Sequence, residues 1–148
     1  MVDILVPSEY GYILIVAILS IIQLNVFGIA TFTARKRAGV PYPQEYAEKA
    51  EAEADFDKHL FNCKQRVHQN TLESFPGFAV LLFSGGLTCP KTTASAGAIY
   101  LLSRVFYNHG YSTGTVEKRG HGRFGVLGTL VMLGTSIFTI YSLFAGEK

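Results

Sequence analysis

Four stretches of this chain are almost free of charge, and their lengths leave little choice of architecture. The first, "YGYILIVAILSIIQLNVFGIATFTA" over residues 10–34, contains no Asp, Glu, Lys or Arg. Crossing a hydrocarbon core takes about 20 residues at roughly 1.5 Å rise each, so this run suffices. Three more follow at 71–87, 93–111 and 124–145, and the links "TCPK" and "STGTVEKRGHG" between the last three are short. Short links make consecutive spans antiparallel neighbours. Composition leans the same way. Charged residues make up 16% of the chain, against about 25% in a soluble domain. The expected fold is all-α: one domain over residues 1–148, built as a four-helix transmembrane bundle, with the helix of the second span beginning upstream near Glu51. A cleaved signal peptide would call for a basic start and a shorter apolar run. Residues 1–9 carry Asp3 and Glu9 but no Lys or Arg, so 10–34 reads as a retained span.

The placement of Lys and Arg predicts the orientation. Arg35, Lys36, Arg37, Lys49, Lys58, Lys64 and Arg66 lie between spans one and two, and Lys118, Arg119 and Arg123 between three and four. Only Lys91, Arg104 and Lys148 lie elsewhere. Positive loops stay cytosolic, which puts 35–70 and 112–123 in the cytosol and both termini on the other side. A net charge of +2 is too small and too scattered for a nucleic-acid surface. Cys63 and Cys89 form no CxxC, and His109 and His121 show no metal-ligand spacing, so no metal is expected.

Some polar residues are out of place for such a fold. Arg35, Lys36 and Arg37 at the end of span one can serve as interfacial anchors. Asn70 and Glu73, at the entry to span two, have no such use. Arg104 lies inside the third span, where a charge is expensive and normally faces a bundle interior or a watery cavity. At about 100° per residue, Arg66, Asn70 and Glu73 project at roughly 0°, 40° and −20°, one narrow face, while His68 at roughly 200° is opposite. Arg104, Tyr107 and Tyr111 fall at roughly 0°, −60° and −20°, again one face. An Arg104–Glu73 ion pair that merely fixes helix packing is one explanation. The other is a ligand site rich in guanidinium, suited to a small anion that also carries one cationic group. Glutathione has that pattern, and a phospholipid headgroup fits the same residue types.

The block "FNCKQRVHQNTLESFP" (61–76) resembles the membrane-associated proteins in eicosanoid and glutathione metabolism, the MAPEG family. So do "SEYGY" before span one, "ARKRAGVPYP" after it and "SRVFYNHGYSTG" closing span three. The resemblance implies a homotrimer of the endoplasmic reticulum membrane that binds glutathione near the cytosolic face, between subunits. Carried over position by position, Arg66, Asn70, Glu73, Arg104, Tyr107 and Tyr111 match glutathione-binding positions. Arg35 matches an arginine that reaches the ligand from span one. His68 matches a position where a leukotriene-forming relative has glutamine, and it would serve the neighbouring subunit's site. Where some relatives have tyrosine after the glutamate, Ser74 stands here. The family's catalytic arginine falls on "TVEKRGHGRFG": Lys118 by simple spacing, with Arg119 the preferred choice and Arg123 a turn further. The implied activity is conjugation of glutathione, as co-substrate, to lipophilic electrophiles (leukotriene-type epoxides among them), reduction of lipid hydroperoxides, or both. A non-catalytic lipid-binding adaptor of the same fold is the alternative.

Overall fold

The structure, a computed structural model, describes residues 7–145. Asp3 and Lys148, both used in the charge argument, lie outside the described residues. The described chain is helical, without strands. A 3-10 turn at Ser8–Tyr10 leads into α1 (Gly11–Ala38). A short α2 (Lys49–Ala54), then α3 (Phe56–Gly86) and α4 (Pro90–Tyr111), follow in order. A second 3-10 segment, Val116–Gly122, precedes α5 (Gly125–Ala145). The four long helices pack on one another: α3 and α4 each touch the other three.

Local chemistry explains the boundaries. Helix α1 runs four residues beyond the apolar stretch and stops at Gly39, whose φ of 64° is left-handed and costs glycine nothing. The helix expected to run unbroken from near Glu51 is interrupted at Asp55. That residue is extended (φ −131°, ψ 115°), and its carboxylate accepts from the Asp57 and Lys58 amides at 2.8 and 3.5 Å. It caps α3 and separates it from α2. Pro90 opens α4 at a position where its missing N–H is not needed.

Two helical stretches, Ser8–Ala38 and Glu117–Ala145, are long and apolar enough to cross a membrane. Only 22% of each apolar window is buried within the chain. Ile15, Ile18 and Ile29 on α1, and Leu127, Leu130 and Phe138 on α5, are exposed accordingly. Large apolar surface of that kind calls for lipid or another subunit. The stretches at 71–87 and 93–111 are helical too, but polar and small residues dilute their hydropathy.

The core is small in cross-section. Ile13, Leu82 and Met132 are fully buried, with Val16, Phe78, Ala94 and Ala96 around them. Close approach of α4 and α5 depends on missing side chains. A Cβ on Gly128 would meet the Ala96 carbonyl at 2.5 Å, and one on Gly125 would collide with the Ser103 side chain. Gly97 and Gly85 are similarly crowded. Gly134, by contrast, has open space around it. Gln23 crosses from α1 to donate to the Leu101 carbonyl on α4 at 2.9 Å, whereas Asn25 turns back to the Ile21 carbonyl of its own helix.

Candidate functional site

At the basic end, α3, α4 and the 3-10 segment Val116–Gly122 enclose an open recess of about 390 Å³. Asn70, Arg104, Tyr107, Arg119, Gly120, Gly122 and Arg123 line it. The segment is drawn onto α4 by two glycines. A Cβ on Gly122 would lie 2.6 Å from the Tyr107 Cβ and 2.8 Å from the Ser103 carbonyl, and one on Gly110 would run into the Lys118 carbonyl. Backbone therefore meets helix directly, and Arg119 and Arg123 overhang the recess while remaining exposed. Lys118 presents its backbone to α4, and its side chain is not among the lining groups. Of the three basic residues open at this position, two reach the recess.

Arg104 is the fixed element. One terminal nitrogen, Nη2, donates to Asn70 Oδ1 at 2.8 Å and to Thr71 Oγ1 at 3.0 Å. Its guanidinium carbon lies 4.3 Å from the centre of the Tyr107 ring, a cation–π contact. The Nε is buried and has no partner among the described residues. Three guanidiniums thus converge on a recess with no acidic residue in its lining. Such a recess favours an anion, because arginine stays charged and its fork matches carboxylate geometry.

The Arg104–Glu73 pair considered from the sequence is not formed. Glu73 is engaged by Arg66, Oε1 to Nη1 at 3.1 Å, and both side chains are about half exposed. The two are separated by seven residues, close to two helical turns, so they face the same way. Half-exposed pairs contribute little to stability. The pair is therefore weak enough to open to solvent.

Five residues proposed for the site are not among those lining the recess: the paired Arg66 and Glu73, and His68, Tyr111 and Arg35. His68 faces α1, on the opposite side of α3 from Asn70. Its ring lies against Gly28, whose added Cβ would be 3.3 Å away, in a second recess with Leu24, Asn25 and Phe32. Its Nδ1 is buried and has no partner among the described residues. Tyr111 is 7% exposed and packs inward with Phe27, Cys63 and Val67, touching the site only through an edge-on contact with Tyr107 at 5.5 Å. Arg35 is not an interfacial anchor. Only 7% exposed, it lies 4.6 Å from the centres of both the Tyr42 and Phe61 rings and donates to the Gln44 and Glu45 carbonyls.

Sequence reading missed several participants. Thr71, which helps hold Arg104, reads as an ordinary helix residue. Tyr100 donates to Ser74 Oγ at 2.8 Å and stacks on Phe78 at 4.7 Å. It lies four residues before Arg104, on the same helical face, and that spacing was the available signal. Tyr46 and Glu45, from the segment after α1, both bond Gln69 on α3, and Tyr46 lies beside Arg66. Cys63 is buried, and burial pushes its thiol pKa up, as befits a packing residue rather than a reactive one.

The MAPEG family model matches residues 13–141, nearly the whole chain and every residue of the recess. The chain belongs to the MAPEG family.

Proposed function

We propose that this MAPEG-family membrane protein is a glutathione transferase of the microsomal glutathione S-transferase 3 type, with glutathione-dependent peroxidase activity towards lipid hydroperoxides. In this reading the four long helices each span the endoplasmic reticulum membrane, the basic loops face the cytosol, and three copies form the working unit. The observation that carries the proposal is the convergence of Arg104, Arg119 and Arg123 on one recess without an acid among its lining residues.

The chemistry follows from charge. A thiol with pKa near 8.5 is only a few per cent thiolate at pH 7, and the thiolate is the nucleophile. A guanidinium beside the sulfur favours the anion, each unit of lowering corresponding to about 1.4 kcal/mol. Arg119 takes that role, since its position on the exposed rim lets it meet a ligand held below. Arg104 and Asn70 bind the tripeptide's polar groups, while Arg66 and Glu73 divide to receive a carboxylate and the ammonium. The thiolate attacks an epoxide carbon, the C–O bond breaks, and the alkoxide takes a proton to give a hydroxy thioether. With a hydroperoxide, sulfur takes the terminal oxygen, the O–O bond breaks and the lipid leaves as an alcohol. A second glutathione then displaces water to form the disulfide.

The lipid partner enters along the exposed apolar surface, which α1 and α4 groove between Val16, Leu19, Val26, Leu101 and Val105. Purified protein should conjugate glutathione to a lipophilic epoxide or reduce a lipid hydroperoxide, and Arg119→Ala should lose that activity. Binding of lipid with neither reaction would instead support the adaptor.

A further inference from the structure

Arg35 and Tyr46 belong to one structural unit that the recess alone does not explain. After Gly39 the chain turns and runs back across α3 as residues 40–48. Two of its members, Val40 and Ala47, are buried with Ala34, Ala38 and Phe61. Asn62 of α3 clasps it from one side, accepting from the Ala47 amide at 2.8 Å and donating to the Ala47 carbonyl at 3.0 Å. Arg35 grips it from the other through the Gln44 and Glu45 carbonyls. The residue held between these clasps is Tyr46. Its hydroxyl donates to Gln69 Oε1, while Gln69 donates in turn to the Glu45 carboxylate. The Arg66 guanidinium, itself joined to Glu73 at 3.1 Å, lies beside the same phenol.

We propose that Tyr46 is a further ligand-contacting residue, donating to the carboxylate that Arg66 receives, and that Arg35 is a positioning residue acting through the 40–48 strap without touching the ligand. The inference rests on the glutathione reading above and extends its site to a loop. Burial raises the Tyr46 phenol pKa, with Arg66 pulling against it, so the hydroxyl is a donor at neutral pH. When a ligand carboxylate replaces Glu73 on Arg66, the phenol has only to turn from Gln69 to meet it. Arg35 is well made for holding and poorly made for reaching. Its planar fork is directed at two backbone carbonyls, and two aromatic rings lie 4.6 Å from its guanidinium carbon.

The two roles separate by substitution. Tyr46→Phe keeps the ring and its packing, so it tests the hydroxyl alone. It should weaken glutathione binding about tenfold, the scale of one hydrogen bond to a charged group, and raise KM for glutathione to match with kcat unchanged. Arg35→Lys keeps the charge but not the two-pronged grip. It should fail to rescue Arg35→Gln, because the fork and not the charge is required. In the Tyr46→Phe, Arg35→Lys double variant the losses should not add, since both act through one contact. Calorimetric titration of glutathione into the four purified variants and the parent protein reads all of this. Binding by the parent with undiminished affinity in Tyr46→Phe overturns the role of the strap and leaves the glutathione reading intact. Full rescue by Arg35→Lys, or additive losses, assigns Arg35 a direct contact and overturns its positioning role. Absence of binding by the parent overturns the glutathione reading and this inference with it.

Discussion

Arg35 on α1 and Arg104 on α4 are both covered guanidiniums next to aromatic rings, yet they are used in opposite ways. Arg35 has its two terminal nitrogens on backbone carbonyls and two aromatic rings in contact with its guanidinium. Among the described residues, Arg104 makes both of its hydrogen bonds through a single nitrogen, keeps one ring contact, and borders an open recess with its Nε unpartnered. The first is a structural cation whose donors hold a loop in place. The second is a cation with donors in reserve. In a helical bundle where any charge is costly, the difference between saturated and unsaturated partners separates architecture from binding.

That contrast can be broken at several points. Arg119→Ala should have the largest effect. Removing a cation aimed at developing charge costs about 10² to 10³ in turnover, while glutathione remains bound and the unfolding temperature is unchanged. Unaltered turnover would shift the role to Arg123, which shares the recess. Arg35→Ala should do the reverse, destabilising the protein by about 2 kcal/mol as two carbonyls lose their donors. Thermal unfolding in detergent measures it, and an unchanged midpoint would remove the distinction drawn here. Arg104→Ala should weaken glutathione affinity about tenfold with a smaller loss of stability, because Asn70 can turn to water in the recess. Glu73→Gln should shift stability by less than about 0.5 kcal/mol, since its pair with Arg66 is half exposed. It should weaken binding only of ligands that carry an amino group. Equal loss for des-amino glutathione would mean that Glu73 does not receive the ammonium.

The sequence disclosed the helices better than the contacts between them. Apolar runs located α1, α4 and α5 to within about four residues, but the run at 71–87 marks only the second half of α3, whose start, expected near Glu51, falls at Phe56 because Asp55 caps it and cuts it from α2. Helical angles correctly put Arg66 with Glu73, and His68 on the far side. They also put Tyr111 with Tyr107, whose ring it touches edge-on, but an angle gives a direction around one helix and not what lies in that direction. Here Phe27 of α1 and Val67 of α3 close over the ring. Arg35 shows the same limit. Its position at the end of an apolar stretch suggests a headgroup anchor, and only the return of residues 40–48 over α3 buries it. Gly110 and Gly122, which bring the segment carrying Arg119 against α4, carry no signal of that role in the sequence. Their tight contacts join parts of the chain whose approach no periodicity encodes.

Ionisation of bound sulfur is the step on which the proposed chemistry depends, and ultraviolet thiolate absorbance reads it directly. Glutathione should be mixed with the purified protein, and with Arg119→Ala, at a pH where the free peptide is almost wholly thiol. A thiolate band that saturates with the parent protein and is lost in Arg119→Ala, while calorimetry still detects the peptide bound, is the expected result. A parent protein that binds glutathione yet leaves it protonated would contradict an activating role for these arginines.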